Sequence, residues 1–462
     1  MLNSPVSSSP AADKAVSVDR LQILSPYLLN PTTPDLQKTK AILDDVRTYV
    51  NRIDVFENMF APALTGEVYF RDTQALTNLA LMRGLDQMWM QFSVLDKQTS
   101  EPRTFGPFGF AIYNQSNRSP VNQSSEEFAL GICSPELVTS TIRKISRSYV
   151  KNGNKNWFPE DIIRDIVEQP YGLSSNKQFV ERQRTNRPIK MVVPFMRPLE
   201  VIQLLTLQGQ STTNETNYLF FETLEGYYYT SFSRLLERSA QDTQIPTIYV
   251  ELAGQRDTGN TRTRIKAEQL QVISGFDILY AMSRGYFAST TIAPDVLSGV
   301  CGVEISGTGL DTAYDRRRRV NPNGVDIYPK EIGLTTPPTS RIFVVPTTAF
   351  SATNTELIRK DPTITDNFIA QTLDGRNREL LGLQSRCIRG RVAGAPELHA
   401  GKFIDVEFPT SLNNKRSGTP FKDSASGRYI IINAKHSIIA DGRQGFLYET
   451  TFEAVTDSFA TS

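Results

Sequence analysis

At 462 residues the chain has room for about three compact units. Its 50 Lys+Arg and 49 Asp+Glu leave a net charge of +1, which gives no global field for gripping nucleic acid or an anionic membrane. No apolar run approaches the ~18–20 residues of a membrane span, the opening MLNSPVSSSPAADKA lacks the basic start and apolar stretch of a signal peptide, and three widely spaced cysteines (Cys133, Cys301, Cys387) argue against a disulfide framework.

Residues 1–40 are rich in Ser, Pro, Asn and Thr, without sustained periodicity. They read as an arm that is disordered or ordered only on a neighbour. Within it Leu21, Ile23, Leu24, Tyr27, Leu28 and Leu29 form a short apolar patch, expected to dock on a neighbouring subunit or on the adjoining part of an assembly. Strand candidates follow at Tyr49–Phe56, Gly66–Arg71, Met88–Leu95 and Phe108–Tyr113. In the third, Met88, Met90, Phe92 and Val94 alternate with Trp89, Gln91 and Ser93, the period of a half-buried strand.

A mixed region comes next. Ser134-Pro135 places an N-cap before proline at the first helical position, and Leu137, Ile142, Ile145 and Tyr149 fall at helical spacing. Phe158-Pro159-Glu160-Asp161 opens a second helix with acids in its first turn, where the helix dipole favours them. Ile162, Ile163, Ile166 and Val167 form its apolar stripe. A third opens at Arg197-Pro198, carries Leu199, Ile202 and Leu205 inward, and stops near Gly209. Tyr218–Thr223 and Tyr227–Ser231 read as a hairpin around Glu225-Gly226, with a short helix at Phe232–Arg238.

From Thr247 β character returns, interrupted at Arg256–Arg264, read as an exposed turn or hairpin tip, and at Thr308–Tyr328, which holds Arg316–Arg319 amid Asn, Gly and Pro. Asp366–Leu383 reads as a helix that Asp374-Gly375 breaks. Four strands then follow at Arg386–Val392, Lys402–Phe408, Arg428–His436 and Phe446–Val455. In the last, Phe446, Tyr448, Thr450 and Phe452 share one face, the mark of an antiparallel sheet with one face buried.

Residues that could carry chemistry are few. The two histidines, His399 and His436, have no CxxC or HExxH spacing beside them. His436 alternates in phase with Ile430, Ile432 and Ala434 and reads as a structural, semi-buried residue. Arg386 and Arg389 flank Cys387 and could lower its pKa, but no base stands nearby in sequence, so a small core residue is the better reading. There is no GxxxxGK[ST], and the glycines of Gly302–Gly309 precede no nucleotide-binding helix. Glu160/Asp161 and Glu126/Glu127 are explained by helix starts and turns. Arg316–Arg319 could contact phosphate, but lacks interleaved aromatics to stack bases and reads as a solvated loop or one engaging an acidic protein surface. Phe220, Phe221, Tyr227, Tyr228 and Tyr229 could form a sugar platform; cross-strand packing in the hairpin is the plainer account. No catalytic, cofactor-binding or metal residue is assigned.

Several stretches, in collinear order, carry a family resemblance. They are Ile53–Thr65 with Gly66–Asp72; Pro135–Val150, including Ile145-Ser146-Arg147-Ser148-Tyr149; Glu160–Val167; and Pro194–Gly209. Phe220-Phe221-Glu222-Thr223 with Gly226-Tyr227 comes next, then Phe276–Asp295 with Gly285, Ser289, Ile292 and Asp295. Arg389–Pro409 follows with Gly394, Leu398 and Gly401, then Ser426-Gly427-Arg428-Tyr429 and Lys435-His436. Together they resemble the baseplate hub proteins of tailed phages, the family that includes the hub subunit of contractile myovirus tails. More distantly they resemble the hub half of type VI secretion spike proteins. The likeness spans about residues 45–457; the arm and the loop at 308–330 have no counterpart in it.

The resemblance implies a mainly β, α+β chain in which two tube-type antiparallel β-barrel domains flank a mixed insert. The division would be an arm at 1–40, a first barrel at 41–133, an insert at 134–245, a second barrel at 246–457 and a tail at 458–462. It also implies a non-enzymatic virion protein of the tail baseplate, made in the host cytoplasm. As a homotrimer it would join the sixfold tail tube to the threefold central spike and form part of the DNA-ejection channel. Its partners would be the tail tube, central spike, baseplate wedge and tape-measure proteins, with DNA passing through unread. A tail tube or tube-terminator protein, or a tail-associated peptidoglycan hydrolase, are the other readings.

Overall fold

The computed structural model describes residues 15–25, 28–29, 36–37, 41–43, 45–73, 84, 86–95, 102–150, 156–186, 188–211, 217–242, 244–250, 264–292, 305–308, 319–322, 324–328, 340–344, 368–408, 423–442 and 445–460. The first strands are β1 (Ala15–Ser25), β2 (Leu28–Leu29), β3 (Leu36–Gln37) and β4 (Ala41–Leu43). After a 3-10 turn at Arg47–Tyr49 come β5 (Val50–Asn58), β6 (Thr65–Asp72), β7 (Gln87–Leu95), β8 (Pro102–Asn122) and β9 (Ser125–Cys133). The insert begins with α1 (Pro135–Ile142), β10 (Ile145–Tyr149), α2 (Pro159–Glu168), β11 (Phe179–Arg182) and β12 (Met191–Met196). It continues with α3 (Pro198–Gln208), β13 (Tyr218–Thr223), β14 (Gly226–Ser231) and α4 (Phe232–Gln241). Next are β15 (Thr247–Tyr249), β16 (Arg264–Ser274), α5 (Ile278–Ser283), β17 (Ala288–Ile292), β18 (Ile305–Thr308), β19 (Val325–Asp326), β20 (Arg341–Val344) and α6 (Phe368–Leu383). Last come β21 (Arg386–Ala393), β22 (Phe403–Glu407), β23 (Gly427–Ala440), β24 (Phe446–Thr456) and β25 (Ser458–Phe459).

Thirteen of these strands form one sheet, in the order β22-β15-β16-β21-β24-β23-β5-β6-β9-β8-β7-β1-β4. Two further pairings, β22 with β23 and β1 with β24, turn that order back on itself twice. One closed circuit runs β24-β23-β5-β6-β9-β8-β7-β1, antiparallel throughout. The other runs β22-β15-β16-β21-β24-β23. The two circuits share β23 and β24 as a common wall.

Each circuit has a filled interior. The first packs Val18, Leu21, Ile53, Val68, Phe70, Met90, Phe92, Phe128, Ile438 and Tyr448; the second packs Ile248, Ile388, Val392, Ile404, Tyr429, Ile431, Phe452 and Ala454. Gly390 makes room for Phe452: a Cβ there would lie 2.3 Å from the Phe452 ring. The insert has its own core, where Ile162, Ile163, Ile166 and Val167 of α2 meet Val201, Ile202 and Leu205 of α3 and the aromatic hairpin. Phe221, Tyr228, Phe232, Leu235, Phe403, Ile430 and Val455 then seal the hairpin and α4 against the wall.

Several expectations are corrected. The apolar patch near the N-terminus is not a docking arm: β1 lies in the sheet, pairing with β7, β4 and β24, and Leu21 and Ile23 are buried in the chain's own first core. A register shift between Val18 and Arg20 hides the alternation, moving the inward positions from Val16 and Val18 to Leu21 and Ile23. Tyr27 lies outside the described residues. Strand pairing also crosses the expected division, because β1 and the last two long strands complete the first circuit. In the second circuit β15 runs parallel to both β16 and β22, which departs from a wholly antiparallel barrel. Parallel neighbours need a long crossover, and residues 250–263 separate β15 from β16. Ile145 and Tyr149 belong to a strand rather than to the α1 face; their spacing of four also satisfies period two, and both ends of β10 are buried. Helix α6 runs through Asp374-Gly375. A glycine costs a helix only about 1 kcal/mol, which the packing of Leu381 and Leu383 at its far end offsets.

Candidate functional site

The residues considered for chemistry do not converge. Burial, with Glu453 adding to it, pushes the Cys387 thiol up to about 11, opposite to the lowering that Arg386 and Arg389 could bring. Burial likewise pushes the Cys133 thiol up to about 11, with Glu222 and Glu136 adding to it; Cys301 is outside the described residues. Glu160 is buried and accepts a 2.6 Å hydrogen bond from the Thr185 hydroxyl, burial holding its carboxyl above the usual range. Glu126 pairs with Arg118 across the β8–β9 hairpin. Arg319, the described member of the arginine run, is paired at 2.8 Å with Asp326 of its own loop. The hairpin aromatics are buried, with Phe221 stacked on Tyr228 at 4.9 Å and Phe220 on Tyr227 at 5.3 Å. They offer no open platform. Among the described residues no group of three or more His, Cys, Asp or Glu could hold a metal ion, and no helix is long and apolar enough to cross a membrane.

His436 is buried, as an in-facing residue, but not in the phase expected. A register shift between Ile431 and Asn433 inserts one residue, so Ile431, Ala434, His436 and Ile438 share a face, and Ile430 and Ile432 pack on the other side. The Nδ1 of His436 lies 2.7 Å from the Tyr448 hydroxyl, and its Nε2 is 3.7 Å from Glu57 Oε1. His399 stacks on Tyr228 at 5.8 Å and approaches Glu225 at 4.0 Å. It borders a cleft of about 310 Å³ with Arg238, Asp242 and Lys402, between the insert and β22.

Buried polar contacts gather instead in a seam beneath the insert. Lys177 Nζ lies 2.7 Å from Glu136 and 2.6 Å from Glu222. Glu222, on β13, also accepts from the Ser134 hydroxyl at 2.7 Å and from the Leu64 amide at 3.0 Å. One carboxylate thus ties the hairpin to the loop before β6, to the start of α1, and to the segment before β11. A second carboxylate, Glu57 on β5, accepts from the amides of Leu224 at 2.8 Å and Ala400 at 2.9 Å, and faces His436. Burial opposes the charge on Lys177, but Glu222 and Glu136 outweigh it and raise its pKa. Burial raises Glu222, whereas at Glu136 Lys177 overcomes burial and lowers the carboxyl. At Glu57 burial is again overcome, here by His436, leaving the carboxyl below its ordinary value.

A third tie lies at the far end of the wall. The Asn321 side chain donates to Ser458 O at 2.7 Å and to Thr456 Oγ1 at 3.1 Å, and accepts from the Arg428 amide at 2.6 Å. Sequence reading missed these residues because Glu57, Glu136, Lys177, Glu222 and Asn321 are scattered and form no motif. The one local signal was a glutamate, Glu222, inside a run of aromatics.

No family model and no curated protein matches the chain. Among solved structures, it superposes on the 43 kDa tail protein of prophage MuSo2 from Shewanella oneidensis with a TM-score of 0.50 at 10% identity, covering 95% of this chain and 99% of that one. The fold is that of a phage tail protein. A tail protein from Neisseria meningitidis MC58 aligns over 95% of this chain and 96% of its own, at 9% identity and a TM-score of 0.49. An E. coli component of the type VI secretion system, described as structurally similar to T4 phage tail proteins, aligns over 90% of this chain and 76% of its own, at 10% identity and a TM-score of 0.41. The tail-protein fold agrees with the resemblance read from the sequence.

Proposed function

We propose that the chain is a structural, non-enzymatic component of a phage-type tail, the hub of its baseplate. Three copies form a ring that joins a sixfold tail tube to a threefold central spike. Its outer face meets the baseplate wedge proteins, and its bore passes the tape-measure protein and DNA. The observation that carries this reading is the pair of closed strand circuits sharing one wall. We take each circuit as a tube-type barrel, flanked by the insert at 134–245. Three chains then present six similar barrels, which suits a sixfold partner on one side and a threefold partner on the other. Both interiors are filled with side chains, so the bore lies between barrels rather than through them. Near-neutral charge suits a bore that releases DNA instead of holding it.

Analytical ultracentrifugation and electron microscopy of the protein, alone and with its spike partner, test the reading. A threefold particle with six barrel densities is expected. A sixfold ring would favour a tail tube or tube-terminator protein, and monomers alone would sink the ring. Clearing of a cell-wall zymogram by the purified chain would replace the structural role with a peptidoglycan hydrolase.

A further inference from the structure

Phe195 of β12 is held at φ 54°, the left-handed region in which a bulky side chain is an outlier. It sits in a bulge. Ile145 of β10 pairs with Met196 but Arg147 pairs with Val193, so β12 has one residue more than its partner between them. The phenyl that results is 64% exposed. A bulge that re-aims one side chain, at a strained backbone position, is a recurring device of binding surfaces.

Other groups complete the face. Val192 of β12 and Ile142, at the end of α1, are 65% and 76% exposed, and Lys144 lies 4.9 Å over the Phe195 ring. Val192 alternates with the buried Val193 and so points outward from the β10–β12 ribbon. Residues 137–158 and 182–199, which contain the two strands, hold five Lys and Arg each and no Asp or Glu, in a chain whose net charge is +1. Arg147 and Arg197 draw their acids from the helices, Asp165 of α2 at 3.8 Å and Glu200 of α3 at 3.7 Å. Residues 151–155, Lys-Asn-Gly-Asn-Lys, follow β10 at the opposite end of the ribbon from Phe195 and hold no apolar side chain to cover it.

We propose that this face docks an acidic polypeptide, whose carboxylates meet Lys144 and the cations around it and whose apolar side chains pack on Phe195, Val192 and Ile142. Charge complementarity selects the occupant. A second copy suits it poorly, because another exposed apolar group of the chain, Phe276, Leu279 and Tyr280, has a cation of its own in Arg284, 5.3 Å over Tyr280. Single-stranded nucleic acid would use successive aromatics as stacking platforms, and here two of the three apolar groups are aliphatic. The proposal goes beyond the hub reading and does not depend on it.

Fluorescence anisotropy of a labelled glutamate–tyrosine copolymer, titrated with the full-length chain, tests this; polyglutamate, oligothymidine and phosphatidylserine vesicles are the controls. The copolymer is expected to bind, more weakly as salt rises. Polyglutamate should bind at least about tenfold less tightly, because it lacks the apolar part. Lys144→Glu should weaken the copolymer about threefold or more. Phe195→Asn decides between a docking and a folding role. Asn accepts the left-handed conformation, so this variant should melt no lower than the unmodified chain, yet bind the copolymer at least about tenfold more weakly. Unchanged affinity in the folded variant overturns the proposal, as does a lower melting temperature, which would give Phe195 to the fold. Tighter binding of oligothymidine or vesicles than of the copolymer, or no binding of the copolymer, overturns it as well.

Discussion

Inside the first circuit Phe70 stacks on Phe128 at 5.2 Å and Phe92 meets Tyr448 at 5.7 Å. Beneath the insert, by contrast, a lysine is held between two carboxylates and a buried glutamate takes two backbone amides. Apolar packing is non-directional and indifferent to pH. Buried charges fix geometry, cost desolvation and respond to protons. The circuits therefore set the shape of the molecule, and the seam sets how the insert sits on it. The two can be broken separately.

The largest effect is expected within a circuit. Phe452→Ala opens a cavity beside Gly390 and should cost about 3–5 kcal/mol, read as a lower urea midpoint for the whole chain. A loss below about 1 kcal/mol would mean the second interior is not packed as described. At the seam, Lys177→Met should cost about 2–4 kcal/mol, less than a fully buried pair because a third of the side chain meets solvent. Amides of β13 and β14 should exchange faster while those of β24 hold. Adding Glu136→Gln and Glu222→Gln to Lys177→Met should recover most of the loss, because no uncompensated charge then remains. If the triple variant is worse than the single one, the seam is not held by charge.

Strands and helices with strong local signals were legible: the acid-started α2, the Arg197-Pro198 opening of α3, the hairpin at Gly226, and the alternation of Phe446–Phe452. Two bulges defeated the same method. One, between Val18 and Arg20, disguised β1 as part of an arm; the other, between Ile431 and Asn433, assigned His436 the wrong companions. Period-two reading assumes an unbroken register, and one extra residue exchanges the faces. The seam was beyond reach for another reason. Lys177 meets Glu136 and Glu222, and Glu57 meets the amides of Leu224 and Ala400, only after the insert has docked, and apart from the aromatics around Glu222 nothing in their neighbours marks them.

Smaller effects sharpen the contrast further. The raised pKa of Lys177 contributes stability that is complete below its unfolded value near 10.5 and is lost as pH rises through the higher folded value. The lowered carboxyl of Glu136 contributes above about 4.5 and is lost as pH falls through its folded value, while the raised Glu222 acts in the opposite sense and blunts that acid loss. Insert exchange should thus accelerate more clearly above pH 10.5 than below pH 4.5, and Lys177→Met should abolish the alkaline component. Smallest of all, Cys387→Ala should cost about 1 kcal/mol. Because burial holds the thiols of Cys133 and Cys387 near 11, iodoacetamide at pH 8 should alkylate both far more slowly than a free thiol, followed by mass spectrometry. Rapid labelling of the native chain would contradict their burial.

The shared wall also imposes an order on synthesis. Ala15 of β1 lies opposite Leu447 of β24, and β5 is flanked on one side by β23. The first circuit therefore cannot close until β24, made long after β1, has left the ribosome. At about 5–20 residues per second that interval is on the order of 20–90 s, during which β1 and β5 each lack a lateral neighbour. A chain stalled or cut before β23 would carry those open edges permanently, so quality control of a truncated product can act on an unfinished sheet rather than on a folded first half.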